Sequence, residues 1–247
     1  MFPSPISFTL LLLAGVASGL LGYLTGLASL ISYPVMLAMG LPPILANTSN
    51  TVGVVTTGLG SGVGTIRELR ETDTGLRASL ATAFFGGLVG SILLLVGGND
   101  LFGAIAPWLI GIAALVMAFS PRLRLLHGDR DSPKAAAVAL ALLCVYGGYF
   151  GAGSGVMYIA TMSILSSSSM ALVLMRKSVI FSVANLTATV IFVVTGNVHW
   201  GAAIAMGLGS LVGGYLGPRA QKHVPDRVLR PTVAVRGLVL AAWLAVR

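Results

Sequence analysis

Charge is what this chain has least of. Only 9% of its 247 residues are Asp, Glu, Lys or Arg, where an ordinary soluble domain carries about 25%. With 56% apolar residues and a mean hydropathy of +0.94, it cannot clothe a water-facing surface and reads as an integral membrane protein. Short alternating strands are missing, which excludes a β-barrel. Apolar runs of about 17–25 residues recur instead, the length of a spanning helix. No basic stretch precedes the first run, so a cleaved signal peptide is not expected. The single cysteine, Cys144, lies in an apolar run. It can form no internal disulfide and reads as a core residue.

Carboxylates are absent from the interior of every apolar run. The seven acidic residues are Glu68, Glu71, Asp73, Asp100, Asp129, Asp131 and Asp226, and all fall in loops or at span ends. None is placed as a mid-membrane proton relay or sodium ligand. Of His127, His199 and His223, only His199 sits near a span. There is no HExxH, no Cys/His metal spacing and no GxSxG, so neither an enzyme nor a cofactor is expected. The GAGSG at 151–155 lacks the Gly-Lys-Ser/Thr of a P-loop and is no GxGxxG fingerprint. The net charge of +8 comes from basic residues in short loops. That distribution fits membrane orientation better than nucleic acid.

What the chain does have is glycine in telling places. Residues 147–155 read GGYFGAGSG, between apolar runs at 135–146 and 156–164. Glycine at this density breaks a helix. A second helix starting near Ser154 would aim its unpaired amides and positive dipole end back at the break. Inside a membrane that makes an anion site. The plainer reading is a tight turn between packed helices.

The apolar segments run 6–24, 27–39, 44–66, 75–96, 101–119, 134–149, 154–165, 171–195, 200–218 and 232–246. A charged loop is expected at 67–74, tight turns at 97–100, 166–169 and 196–199, and a basic stretch at 219–230. The polar linker 121–133 divides the chain into repeats at 1–120 and 134–247, which together make one membrane domain. The halves echo each other. Gly22, Thr25 and Ser29 precede Gly148, Gly151 and Gly155 by 126 positions, and Gly86 and Gly90 precede Gly209 and Gly213 by 123. A short helix and then a long one follow the break in both halves, which points to internal duplication.

With the linker in the cytoplasm and all ten segments crossing, every basic residue except Arg247 lies on the cytoplasmic side, as the positive-inside rule favours. Both termini are then outside. Five segments per half is an odd number, so the second repeat is inverted relative to the first, the plan of many secondary transporters. The expected fold is therefore all-α: a polytopic membrane protein of two inverted repeats, each of about five helical segments, with short broken helices in both. Re-entrant short segments are the alternative; they would move 219–230 outside, which the rule disfavours.

Polar residues inside the spans need partners. Asn47, Ser49 and Asn50 open the third segment; Arg176, Lys177 and Ser178 lie early in the eighth, followed by Asn185, Thr187 and Thr189. They read either as hydrogen-bonding groups for a substrate oxyanion or as interhelical hydrogen bonds. Arg176 and Lys177 read as interface anchors, and Lys177 is also a charge able to pair with an anion. The spaced glycines Gly86, Gly90, Gly209, Gly213 and Gly217 read as packing seams, and Gly58, Gly60, Gly62 and Gly64 as a hinge or seam. Tyr23, Tyr33, Tyr146, Tyr149 and Tyr158 flank the breaks, as cavity lining or as packing.

These residues resemble the sulfite exporter TauE/SafE family of sulfonate and sulfite permeases. The likeness rests in the first half on Gly22, Gly26, Pro34, GLPP at 40–43 and NTSN at 47–50. In the second it rests on Gly147, GAGSG at 151–155, RKSV at 176–179 and GNVHW at 196–200. It covers nearly the whole chain. Departures are Leu27-Ala28-Ser29 for a glycine triplet, Ala160 for a proline, and Asn47 and Arg176 for a glycine before Thr-Ser. The resemblance implies transport of sulfite, thiosulfate or an organosulfonate across a bacterial inner membrane. The expected partners are a small anionic substrate and the lipid bilayer, with no nucleic acid. The expected substrate-binding set is Ser29, Asn47, Ser49, Asn50, Gly151, Gly153, Ser154, Gly155, Lys177 and Ser178, at a midplane site worked by alternating access. An anion channel, or an accessory membrane protein without transport, are the alternatives.

Overall fold

The computed structural model describes residues 4–25, 28–72, 75–125 and 132–221, together with Val239 and Ala242. The chain is helical, and no strand occurs among the described residues. Among the described residues eight helices follow one another: α1 (Pro5–Thr25), α2 (Ser29–Ala38), α3 (Pro43–Thr72), α4 (Leu76–Leu125), α5 (Pro133–Tyr149), α6 (Ser154–Leu165), α7 (Met170–Val194) and α8 (Trp200–Gln221). The tenth expected segment, 232–246, and most of the basic stretch 219–230 lie outside the described residues.

Local chemistry explains the boundaries. α5 opens on a proline, whose missing N–H costs nothing in a first turn. α7 is capped by Ser169, whose Oγ accepts the Leu172 N–H at 3.3 Å. α8 is capped by His199, whose Nδ1 accepts the Ala202 N–H at 3.2 Å. The turn expected at 97–100 narrows to one residue: Gly98, at φ 73 and ψ 172, breaks α4 into limbs 76–97 and 99–125. Only glycine takes that backbone easily. Two expected loops are shorter than the sequence pattern implies. α3 runs on through the charged residues to Thr72, and α4 runs past the first residues of the linker to Leu125. Arg, Glu and Leu are strong helix formers, so polarity alone did not stop either helix.

α1, the α4 limbs and α7 contain stretches long and apolar enough to cross a membrane. Large apolar side chains such as Leu13, Phe85, Leu93, Leu142, Val190 and Leu208 are exposed on the outer faces. Lipid is the solvent that fits such a surface, since helices satisfy their backbone polar groups internally. The protein is a multi-pass membrane protein.

Many of the helix pairs match. α1 packs on α8 as α5 packs on α4; α3 packs on α8 as α7 packs on α4; α1–α2, α2–α3 and α1–α3 correspond to α5–α6, α6–α7 and α5–α7; α3 meets α7 in the middle, while α4–α6 and α3–α4 have no counterpart of like extent among the described residues. Two of these contacts are glycine seams. A Cβ on Gly209 or Gly213 would lie under 3.0 Å from backbone of α1, at Leu12 and Val16. A Cβ on Gly90 would meet the backbone of Val145 and Tyr149 in α5 just as closely, and one on Gly86 would meet Cys144. Small residues let the backbones touch, which is how helices associate where lipid removes the hydrophobic drive. Cys144 itself is a free, buried core residue.

Candidate functional site

Two short helices cannot cross a membrane by themselves. α2, with 10 residues, and α6, with 12, are only about 15 and 18 Å long against a hydrocarbon core of about 30 Å. The structure makes α6 half of a hairpin with α5. At the open end the Ser132 N–H donates to the Leu165 carbonyl at 3.1 Å. At the closed end the chain turns through Phe150–Gly153, and Gly151 and Gly153 take left-handed φ values of 77 and 80. The neighbour of this tip is Asn185, whose Oδ1 would lie 3.8 Å from a Cβ on Gly151. Asn185 sits about 22 Å along α7 from its start, and α7 continues to Val194. The tip therefore stops part-way along a spanning helix. α5 and α6 enter and leave at the same end of the molecule. α1 and α2 form the companion pair, with Gly22 against Ala28 at its turn.

The two tips border one cavity of about 120 Å³. Its lining includes Gly22, Ala28 and Ser29 from the first tip, and Gly151, Ser154 and Gly155 from the second. α3 adds Val54 and Thr57; α7 adds Lys177, Ser178, Phe181, Ser182 and Asn185. Two helix N-termini thus face one space, each bringing roughly half a positive charge. Neither α2 nor α6 has a side-chain cap at its start. In α6 the Ser154 N–H and Oγ both turn to the Gly151 carbonyl, at 3.3 and 2.9 Å. The Gly155 and Val156 amides find no acceptor among the described residues. Lys177 adds a side-chain amine. It is 7% exposed, and among the described residues no carboxylate pairs with it. A buried ammonium without a counter-ion is costly.

Of the ten residues singled out from sequence, Ser29, Gly151, Ser154, Gly155, Lys177 and Ser178 line this cavity. Gly153 does not line it; it supplies the left-handed turn that aims α6. Asn47, Ser49 and Asn50 lie towards the start of α3, away from the cavity lining. Asn47 Nδ2 donates to the Tyr149 carbonyl at 3.1 Å, and Ser49 Oγ accepts the His199 N–H at 2.8 Å. Asn50 is fully buried. Arg176 faces the other way from Lys177, into a second space of about 450 Å³ near the open end of the α5–α6 hairpin. Of the tyrosines, Tyr33, Tyr146 and Tyr149 pack with Phe102 and Phe150, and Tyr158 packs with Phe181.

Asn185 was not in the expected set, though it lines the cavity. The signal was available: Lys177, Phe181 and Asn185 are four apart, so they share one face of α7.

A polytopic helical body with a lipid-facing surface and a polar interior between broken helices defines a membrane transport protein. The chain belongs to the sulfite exporter TauE/SafE family, whose model matches residues 11–244. It is 26% identical over 251 residues to the probable membrane transporter protein ORF9 of Sinorhizobium sp, covering 97% of this chain and 94% of that one. It is 22% identical over 247 residues to the probable membrane transporter protein YfcA of Escherichia coli strain K12, covering 98% and 90%. A probable membrane transporter protein of Haemophilus influenzae is 25% identical over 240 residues, covering 94% and 92%. No solved structure matches the chain. Membership makes it a member of a membrane transporter family acting on a small molecule in a lipid bilayer.

Proposed function

We propose that this protein is a carrier of a small sulfur-containing oxyanion, namely sulfite, thiosulfate or an organosulfonate, in the cell inner membrane. The observation that carries the reading is Lys177, buried and without a carboxylate partner among the described residues, beside two uncapped helix starts. Backbone amides of α6 and the hydroxyls of Ser29 and Ser178 take the oxyanion's oxygens, and Lys177 balances its charge. The sulfur comes from the family name alone; the geometry supports the anion.

The paired packing of α1–α3 and α8 with α5–α7 and α4 supports two inverted copies. Rocking one copy against the other exposes the cavity to each side in turn. Among the described residues no carboxylate lines the cavity, which favours uniport or coupling through the anion itself.

The test is flux into proteoliposomes with radiolabelled sulfite, thiosulfate and sulfoacetate. A carrier gives saturable uptake and counterflow for one of them, reduced at least tenfold by Lys177→Met. Linear flux without counterflow means a channel. Uptake unchanged in Lys177→Met refutes the site.

A further inference from the structure

In the cavity lining and beyond it, several buried polar atoms have no partner among the described residues. Asn50 is 0% exposed, and neither its Oδ1 nor its Nδ2 makes a hydrogen bond. Asn47 gives its Nδ2 to Tyr149 but leaves its Oδ1 unpaired. On α7, Asn185 Oδ1 and Thr189 Oγ1 are buried and unpaired as well. Buried amides and hydroxyls are nearly always satisfied in a native fold, so this concentration calls for a cause.

Helix register brings these atoms together. Val54 and Asn185 both line the cavity. Asn50 lies one turn from Val54, and Thr189 one turn from Asn185, and residues four apart share a helix face. α3 and α7 pack on each other and run antiparallel, since Ser49 near the start of α3 meets His199 just beyond the end of α7. Both steps therefore lead out of the cavity in the same direction. The cavity-lining faces continue as an unsatisfied polar seam towards the end where α3 begins.

The seam is shut by the α5–α6 tip. The Tyr149 carbonyl holds Asn47. Phe150 beside it packs against Tyr33 of α2 at 5.5 Å and Phe102 of α4 at 5.6 Å between ring centres. We propose that Asn50 and Thr189 line the second half of the translocation route, closed in this conformation and opened when the tip withdraws from α3. Water and the passing solute then satisfy the atoms that are orphaned here. The inference rests on the chain being a transporter, and it is independent of which solute is carried.

The experiment is thiol accessibility in the full-length protein in proteoliposomes, with Cys144→Ala removing the native thiol. Asn50→Cys, Thr189→Cys and Ala188→Cys are made singly. Ala188 is 0% exposed, next to Thr189 but in the apolar core. A small neutral methanethiosulfonate, the hydroxyethyl reagent, is applied with and without sulfoacetate. Labelling at 50 and 189 at least tenfold faster than at 188 is the expected result. Labelling no faster than at 188, with and without sulfoacetate, in protein that still transports, overturns the route. If Asn50→Cys does not fold, Thr189→Cys carries the same decision. Fast labelling that ignores sulfoacetate upholds the route and counts against the anion assigned above.

Discussion

The two hairpins share a plan and differ in chemistry. α1–α2 and α5–α6 each pair a longer helix with a short one, each packs along a glycine seam, and each offers the start of its short helix to the same cavity. The long helix that follows each hairpin is where they part. α3 has Thr48, whose Oγ1 is used up on the Leu45 carbonyl at 3.2 Å. α7 has Lys177 at the matching place in its motif, buried and facing the cavity. Similar surroundings thus give the cavity one wall with a lysine and one without. Both short helices bring their starts to the cavity, and among its described lining residues α7 alone adds a basic side chain.

The largest effects fall on the frame, and they strike both hairpins alike. Gly213→Leu in the α1 seam and Gly90→Leu in the α5 seam each place a side chain onto neighbouring backbone. Each is expected to cost about 3 kcal/mol or more and to leave little monodisperse protein on size-exclusion chromatography. Equal loss in the two variants supports matched seams; survival of either one breaks the comparison.

Next come the two motif positions. Lys177→Met is expected to fold and to lose anion uptake at least tenfold, while Thr48→Val changes uptake less than twofold and stability by about 1 kcal/mol. Uptake assays with both variants test whether the asymmetry lies where the charge does.

A smaller effect separates the tips. Gly153 has a left-handed φ of 80, whereas Ala28 at the start of α2 is right-handed. Gly153→Ala is expected to destabilise by about 1–2 kcal/mol, read as a lower midpoint of thermal unfolding. Gly153→Leu adds bulk beside the site and is expected to abolish uptake while the protein still inserts. The smallest effect lies off both seams: Gly103 has open space around it, and Gly103→Ala is expected to stabilise by about 0.5–1 kcal/mol.

Much of this was legible in the order of the residues, because membrane helices announce themselves by length and by what interrupts them. The break at 147–155, the turn near Gly98 and the seam glycines Gly86, Gly90, Gly209 and Gly213 follow from backbone freedom and from spacing. The ends of α3 and α4 were harder, since a charged run such as 67–72 is polar and strongly helix-forming at once. Site residues divided along a similar line. Ser29, Ser154 and Gly155 sit at helix starts, which sequence marks. Asn47, Ser49 and Asn50 share a polar cluster, yet only register against α7 shows that they lie beyond the cavity. The burial of Lys177 rests on packing by several helices, and no local pattern carries that.

The central claim is that an oxyanion binds between the two tips against Lys177. The most direct measurement is the thermal unfolding of purified wild-type and Lys177→Met protein with sulfite, thiosulfate, sulfate, sulfoacetate, taurine, acetate and chloride. A ligand that binds only the folded state adds about 2.7 kcal/mol of stability at a hundred times its Kd. The account predicts a selective rise with one sulfur oxyanion in the wild type and none in Lys177→Met. An equal rise in both proteins, or no rise with any anion, would contradict it.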